Sequence, residues 1–510
     1  MNKVYLLGAG PGDPGLLTLR ARDILAAADT VVYDYLASPE LLEHCRKEAE
    51  LVYVGKKGGD HTMTQEAINA LLVDTARAGK SVARLKGGDP YVFGRGAEEV
   101  EELVAAGVDF EVVPGVTSAV AAPAYAGIPL THRTYASSVT FITGHEDPNK
   151  AESAHNWPAL ATSASTLVFF MGVKNLTSIT ANLTQAGMDP HTPAALVRWG
   201  TTCNQQSLIS DVQHIAARSK EAEIQPPSLL VVGRVVTLRD TLNWFEQLPL
   251  LGRGVVVTRA REQASGLLHL LAQDGACCYQ FPTIAISSVP DSQKVQQAIQ
   301  NLSSYDWCIF TSVNGVYYFW SYLAQAGLDT RALGRAKVAA IGPATAQALR
   351  ERGIQPEVVP EKYVAESVIE SLTAHGIHGS RVLIPRAEIA REILPQELQR
   401  AGAQVDVVPV YCTGLAQKSG EDILQAMNKG LIHYVTFTSS STVENFFQLI
   451  SPEQLQPFVP DQVRLACIGP ITARTLSGFG FTPHVQPEEY TIPALAQALV
   501  QDRERNEASG

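Results

Sequence analysis

The chain has 510 residues, of which 45% are hydrophobic and 18% charged, with a formal net charge of −11 at pH 7. That length exceeds one hydrophobic core and implies roughly two to four domains, and the negative balance speaks against nucleic-acid binding while leaving room for a local basic groove. No apolar run is long enough to span a membrane, and Pro11, Asp13 and Pro14 interrupt any signal-peptide core, so a cytoplasmic location is expected.

The first predicted strand, "KVYLLGAG", runs into Gly10-Pro11-Gly12-Asp13-Pro14-Gly15, a G-x-G-x-x-G turn. A second apolar run ends in Asp34, near the position where a dinucleotide fold keeps its ribose-binding acid. The details argue against a pyrophosphate. Pro11 and Pro14 each remove an N–H that a phosphate would want, and Asp13 adds a negative charge. No Lys-Ser/Thr follows the glycines, which excludes a nucleotide P-loop.

Further strands are predicted at "ELVYVG", "SVARLKGGDP", "FEVVPGV", "SVTFITGH", "STLVFFMGV", "PAALVRWGTT" and "SLLVVGRVV", alternating with helical stretches. Their ends carry glycine or a polar residue again and again: Gly8, Asp34, Gly55, Gly87-Gly88-Asp89, Gly115, Gly144, Gly172, Gly200 and Gly233. One rim of the sheets is thereby stripped of side chains, which lets backbone approach a ligand. A division into two lobes is expected near Pro114–Gly115.

From about residue 252 the chain repeats itself at a constant offset of 127, the step from Arg259 in "VVVTRA" to Arg386 in "VLIPRA". "FTS" at 310–312 meets "FTS" at 437–439, "IGPATAQAL" meets "IGPITARTL", and "PEKY" meets "PEEY". A period this long argues for two similar lobes, not a solenoid. Each copy alternates strand and helix, giving an α/β class with parallel sheets whose ligands bind beyond the strand ends. Thr311, Ser312, Thr438, Ser439 and Ser440 sit there; their hydroxyls suit carboxylates, or alternatively cap the following helices. The seven cysteines show no C-x-x-C and read as small buried hydrophobes in a reducing compartment. The twelve histidines show no metal-ligand spacing, and no metal is expected.

Taken together, "GAGPGDPGLLTLRA", "VVYDYLAS", "VGKKGGDHTMTQEAIN", "RLKGGDPYVFGRGAEE", "VVPGVTSA", "GIPLTHRTYA", "FFMG", "WGTT" and "VVGRVVTLRDTLNWF" resemble the uroporphyrinogen-III C-methyltransferases. Cobalamin-ring methyltransferases and diphthine synthases share the glycine motifs without the whole set. The resemblance covers residues 1–247 and implies two α/β lobes, 1–114 and 115–247, with S-adenosylmethionine bound between them and S-adenosylhomocysteine released. It implies cofactor contacts from Pro11, Gly87, Gly88, Asp89, Val92, Thr117, Ser118, Met171 and Gly200, with Asp34 as proton acceptor and Lys56 as proton donor. Arg84, Lys86, Arg95, Arg133 and Arg198 are candidates to hold the substrate's carboxylates, each with a surface ion pair as the alternative. The family's habit of dimerising points to a homodimer through this half.

The duplicated half, 252–505, resembles uroporphyrinogen-III synthase through "TRAREQA", "FTSVNGV", "AAIGPATAQAL", "PRAEIAREILPQELQRAGAQVDVVPVYCT", "TFTSSSTVENF" and "CIGPITA". This implies one lobe of 252–283 plus 413–505 and another of 284–411, linked near Pro282 and Pro409, with the first strand-helix unit of each copy exchanged. Tyr411 matches a tyrosine that helps the leaving hydroxyl, and Thr311, Ser312, Thr438, Ser439, Ser440 and Thr472 would bind carboxylates. The implied chemistry is closure of hydroxymethylbilane to uroporphyrinogen III with inversion of ring D, then two methylations, at C2 and C7, to precorrin-2. The partners would be small tetrapyrroles, not nucleic acid or membrane. The alternative is a methyltransferase for another corrin intermediate joined to a non-catalytic tetrapyrrole-binding module.

Overall fold

A computed structural model describes residues 3–55, 63–145, 155–163, 165–259, 261–360, 365–390, 392–415 and 419–507. The chain forms two compact units: Met1–Gly254 with His269–Cys278 and Val500–Gly510, and Val255–Leu268 with Tyr279–Leu499. Among the described residues no helix is long and apolar enough to cross a membrane.

The first unit holds two sheets. Strands β1 (Lys3–Gly8), β2 (Thr30–Tyr33), β3 (Glu50–Tyr53), β4 (Val82–Lys86) and β5 (Asp109–Val113) lie in the order β3-β2-β4-β1-β5, all parallel. Alternation along the strands feeds two cores. Leu7, Ala83 and Leu85 pack with the helix Leu19–Leu25; Val4, Leu6 and Val82 pack beneath the helices Gln65–Arg77 and Gly96–Ala105. The second sheet contains β6 (Val139–Thr143), β7 (Thr166–Phe170), β8 (Pro193–Arg198), β9 (Gln206–Asp211) and β10 (Ser228–Val232), in the order β6-β7-β10-β8-β9. Only β6 and β7 run parallel; β7–β10, β10–β8 and β8–β9 are antiparallel. The short β8–β9 connection reverses the chain where a crossover helix would have kept it parallel. Ala119, Ala122 and Ala126 seat the helix Ser118–Tyr125 on this sheet against Val168, Ala195 and Val231.

Two of the cysteines differ from expectation. Cys203, in the loop after β8, is joined by a disulfide to Cys277, 74 residues further on. Cys308 and Cys467 are buried and free.

The remaining strands are β11 (Gly254–Val257), β12 (Cys277–Gln280), β13 (Ile284–Ser288), β14 (Trp307–Phe310), β15 (Lys337–Ala340), β16 (Arg381–Ala387), β17 (Gln404–Leu415), β18 (Tyr434–Phe437) and β19 (Arg464–Cys467). Strands beginning at 254, 277, 307 and 337 return at 381, 404, 434 and 464, the 127-residue step seen in the sequence. Finer details keep it too. The isolated bridge Ala339–Val358 recurs as Ala466–Val485, and the cap bond Gly315 N–H to Ser312 Oγ recurs as Thr442 N–H to Ser439 Oγ. The copies are interleaved. One sheet, β12-β11-β18-β19, combines the opening strands of the first copy with the closing strands of the second; the other, β13-β17-β16-β14-β15, does the converse. Pro409 sits in β17 beside a register shift at Arg386–Ala387, a bulge that tolerates a residue without an N–H.

Candidate active site

In the first unit, three glycine-bearing strand ends meet. A Cβ on Gly8 would lie 2.8 Å from the Gly88 carbonyl oxygen, and one on Gly115 would lie 2.6 Å from Gly8 Cα, so no side chain fits at either position. Gly10 N–H donates to Gly88 O at 3.2 Å and Gly88 N–H to Gly10 O at 2.7 Å, pinning the GPGDPG turn to the loop after β4. Asp89 ties that loop together. Its Oδ1 accepts from the Tyr91 and Val92 amides, and its Oδ2 accepts from Gly115 N–H at 3.0 Å. Gly87 packs on Leu36 just beyond Asp34. Thr117 caps the helix Ser118–Tyr125 and, with Ser118, stands next to Gly88.

The second sheet's loops come to the same rim. A Cβ on Gly12, beside Pro11, would meet Thr202 Cγ2 at 2.5 Å and Thr201 Oγ1 at 3.2 Å. Phe93, next to Val92, packs on Phe170 with ring centroids 4.9 Å apart, and Phe170 precedes Met171. Among the described residues, five of the six non-glycine residues with positive φ lie in these loops: Phe93, Arg95, Met171, Trp199 and Thr201. Such strain persists only where surroundings enforce it and gathers at ligand sites. Gly200 sits between two of these residues, against Ala122.

Sequence reading missed what enforces the strain. Thr201 N–H donates to Gln205 Oε1, Gln205 donates to Glu246, and Glu246 pairs with Arg239, which also donates to the Ala126 carbonyl. Trp244 Nε1 donates to Ala124 O, and Tyr125 packs on both Trp244 and Phe245. The motif "LRDTLNWF" is therefore a buttress for the helix and loop that carry Ser118 and Gly200. Asp13 is a strut. Its backbone N–H donates to Thr201 Oγ1, and its Oδ2 accepts from Tyr125 OH at 2.7 Å. Burial, then this bond to a carboxylate, pushes the Tyr125 phenol up.

Asp34 lies at the end of β2 with its side chain 23% exposed; Oδ1 accepts from Leu36 N–H and Oδ2 from Arg84 at 3.4 Å. Arg84 and Lys86 depart from expectation. They are not groove-lining cations but buried residues, 3% and 5% exposed, paired with the fully buried Glu99. Burial, reinforced by Arg84 and opposed by Glu99, pulls Lys86 down. Arg95 pairs with Glu98 on the surface and Arg133 is exposed. Arg198 is half-buried, donating to Gln206 while its Nε has no partner among the described residues. Lys56 lies outside the described residues.

In the second unit, Tyr411 is 8% exposed, its hydroxyl 3.1 Å from Ser312 Oγ and its ring stacked on Tyr318. Ser312 and Ser439 both act as helix N-caps, the alternative role noted above; Ser440 accepts from Thr475 at 2.8 Å. Thr311 and Thr438 are half-buried beside them, at the ends of β14 and β18. Thr472 is buried in the helix Pro470–Gly478, as its counterpart Thr345 is in Pro343–Arg350. Arg386, also buried, pairs with Glu392, and burial pulls its counterpart Arg259 down.

Comparison with known proteins fits this division. Residues 3–216 match the family model of the tetrapyrrole (corrin/porphyrin) methylases, and residues 265–497 match that of uroporphyrinogen-III synthase HemD. The porphyrin biosynthesis protein HemD of Ruminiclostridium josui is 37% identical over 498 residues, covering 98% of this chain and 97% of that protein. The chain belongs to this family of fused tetrapyrrole methylase and uroporphyrinogen-III synthase enzymes. The uroporphyrinogen-III C-methyltransferase of Bacillus subtilis is 39% identical across 72% of this chain and 77% of its own. The methylase half alone matches the S-adenosyl-L-methionine-dependent uroporphyrinogen III methyltransferase of Methanosarcina barkeri, 52% identical over 47% of this chain and 94% of that one. The methylase and synthase halves are thus both enzymes of porphyrin biosynthesis.

Proposed function

We propose that the synthase half, 252–505, closes hydroxymethylbilane to uroporphyrinogen III with inversion of ring D and loss of water. The methylase half, 1–247, then methylates that product at C2 and C7 to give precorrin-2. The observation that carries the reading is the convergence of Gly88, Asp89, Thr117, Ser118, Met171 and Gly200 on one rim, with Asp34 at its edge.

The rim fits S-adenosylmethionine better than a dinucleotide. It offers bare backbone at Gly8 and Gly115, where a Cβ would collide, and at Gly88, whose φ of +69° disfavours a side chain, with prolines where a pyrophosphate needs N–H groups. When bound, S-adenosylmethionine supplies a sulfonium methyl group to a nucleophilic pyrrole carbon and leaves as S-adenosylhomocysteine. The chain's part is mainly positioning. Gly87–Val92, Thr117–Ser118 and the Met171 and Gly200 loops hold the donor, and the Asp34 carboxylate takes the proton that the methylated macrocycle loses. In the synthase half, the Tyr411 hydroxyl, held by Ser312, assists departure of the substrate's hydroxyl. Hydroxyls and helix N-termini at 311–312 and 438–440 receive carboxylates.

The test supplies hydroxymethylbilane and methyl-labelled cofactor to wild type and Asp34→Asn. Wild type yields doubly labelled precorrin-2. Asp34→Asn accumulates unlabelled uroporphyrinogen III, because cyclisation does not use Asp34. Recovery of only the type I isomer, which forms spontaneously, refutes the synthase assignment; full labelling in Asp34→Asn refutes the base.

A further inference from the structure

Arg84 and Lys86 alternate along β4 onto one face of the first sheet, the face covered by the helices that bear Gln65 and Glu99. Glu99 Oε1 accepts from three donors: Lys86 Nζ at 2.6 Å, Gln65 Nε2 at 3.2 Å and Arg84 Nε at 3.4 Å. Its Oε2 is buried and has no partner among the described residues. Arg84 directs its guanidinium to three acceptors, with Nε on Glu99, Nη1 on the Leu85 carbonyl and Nη2 on Asp34. Beyond these partners, the described charged and titratable groups that bear on the cluster are Tyr35 beside Asp34, Arg95 near Glu99, and Glu98, which faces Lys86 but is paired with Arg95.

Two facts set this cluster apart from a stabilising ion pair. A buried ion pair replaced as a whole by well-packed apolar residues often costs little or no stability, and an unsatisfied buried oxygen is a cost. The charges, moreover, balance only when Asp34 is counted: Arg84 and Lys86 face Glu99 from inside, and the second negative charge is at the rim. We propose that Glu99 is a positioning residue for methyl transfer, holding the Asp34 carboxylate in place through Arg84. Arg84 is bonded at one end to a fully buried side chain and presents its other end to the base. Lys86 neutralises the clamp. This rests on the reading of Asp34 as the base.

The experiment is a double-mutant cycle in the full-length enzyme, with the synthase reaction of the same chain as an internal control. Glu99→Gln keeps the side-chain shape and removes the charge. Its methyl-transfer kcat falls about 10- to 100-fold. Cofactor Kd and synthase turnover stay within about twofold of wild type. In single turnovers, Asp34→Asn/Glu99→Gln is no slower than Asp34→Asn, because Glu99 acts only through Asp34. If the two losses multiply, or if cofactor affinity falls in parallel with kcat, Glu99 has only a structural role and the inference is overturned. Wild-type rates in Asp34→Asn alone overturn the base assignment and this inference with it, a distinct result. Should Glu99→Gln melt early because Lys86 is stranded, Lys86→Met/Glu99→Gln removes the stranded cation, and the same cycle is read on that background.

Discussion

Replacing Gly200 by alanine places a methyl group against Ala122. The new Cβ would overlap Ala122 Cβ, lie 2.9 Å from Ala122 Cα and 3.4 Å from Val197 Cγ1. Neither residue yields easily, since Ala122 belongs to the helix seated on the second sheet and Val197 to β8. The loop must move instead. It has little freedom, because Trp199 and Thr201 on either side are held at φ +48° and +72°. Overpacking of this kind costs about 1–3 kcal/mol. A displacement of about 1 Å at a positioning loop costs up to about a hundredfold in rate. S-adenosylmethionine should therefore bind about 10- to 100-fold more weakly by calorimetry, with methyl transfer falling at least as far and synthase turnover unchanged. The collision is reciprocal, so Ala122→Gly in the same chain restores room for the methyl group. It should recover most of the affinity, at a helix cost of about 1 kcal/mol. Undiminished affinity in Gly200→Ala, or no recovery in the double variant, would refute the contact as the reason for glycine at this position.

Three further outcomes are expected. Tyr411→Phe removes the hydroxyl shared with Ser312. Stability changes by only about 1 kcal/mol, but ring closure slows about tenfold or more, and wild-type synthase turnover would rule out a role for that hydroxyl. A non-reducing digest should release a peptide pair linked through Cys203 and Cys277, and closing a loop of that 74-residue separation contributes at most about 4.5 kcal/mol. An unchanged melting temperature on reduction contradicts that contribution. Asp29 accepts from the Ser81 amide and hydroxyl, and these bonds, with Arg46, hold its carboxyl below the usual range. A depressed folded value means stability that is present above about pH 4 and lost as pH falls through the lowered value. Asp29→Asn should therefore destabilise at pH 6 and match wild type in strong acid; an equal deficit at both pH values speaks against the ionised form as the cause.

Strand positions were legible because apolar runs with polar ends have one reading in this class, from "KVYLLGAG" to "SLLVVGRVV". Strand β9, "QSLISD", was not: it is an edge strand of half-exposed residues without a hydrophobic stripe. The antiparallel character of the second sheet was hidden with it. Glycines marked the rim, since their absence of side chain is a property of one residue. What holds the rim was invisible for the opposite reason. The Thr201–Gln205–Glu246–Arg239 chain, the Asp13–Tyr125 strut and the Glu99 cluster are pairings through space. The Cys203–Cys277 pair is of the same kind, and no spacing rule reaches across 74 residues. Arginine and lysine on β4 looked like surface anchors because composition carries no information about which face of a strand is covered.

The interleaving of the two sheets fixes the order in which this half can be completed during synthesis. The sheet of β13 to β17 is finished once residue 415 has emerged. The other is not. Val255 of β11 waits for Tyr434 of β18, about 180 residues later, and the last partner, β19, ends at Cys467. Until then a strand of consecutive valines, fully buried when folded, has no neighbour on that side. Pairings this distant in sequence form slowly and leave apolar edges open to other chains. Neither copy of the repeat is a folding unit: cutting the chain between them would leave each with one sheet's beginning and the other sheet's end.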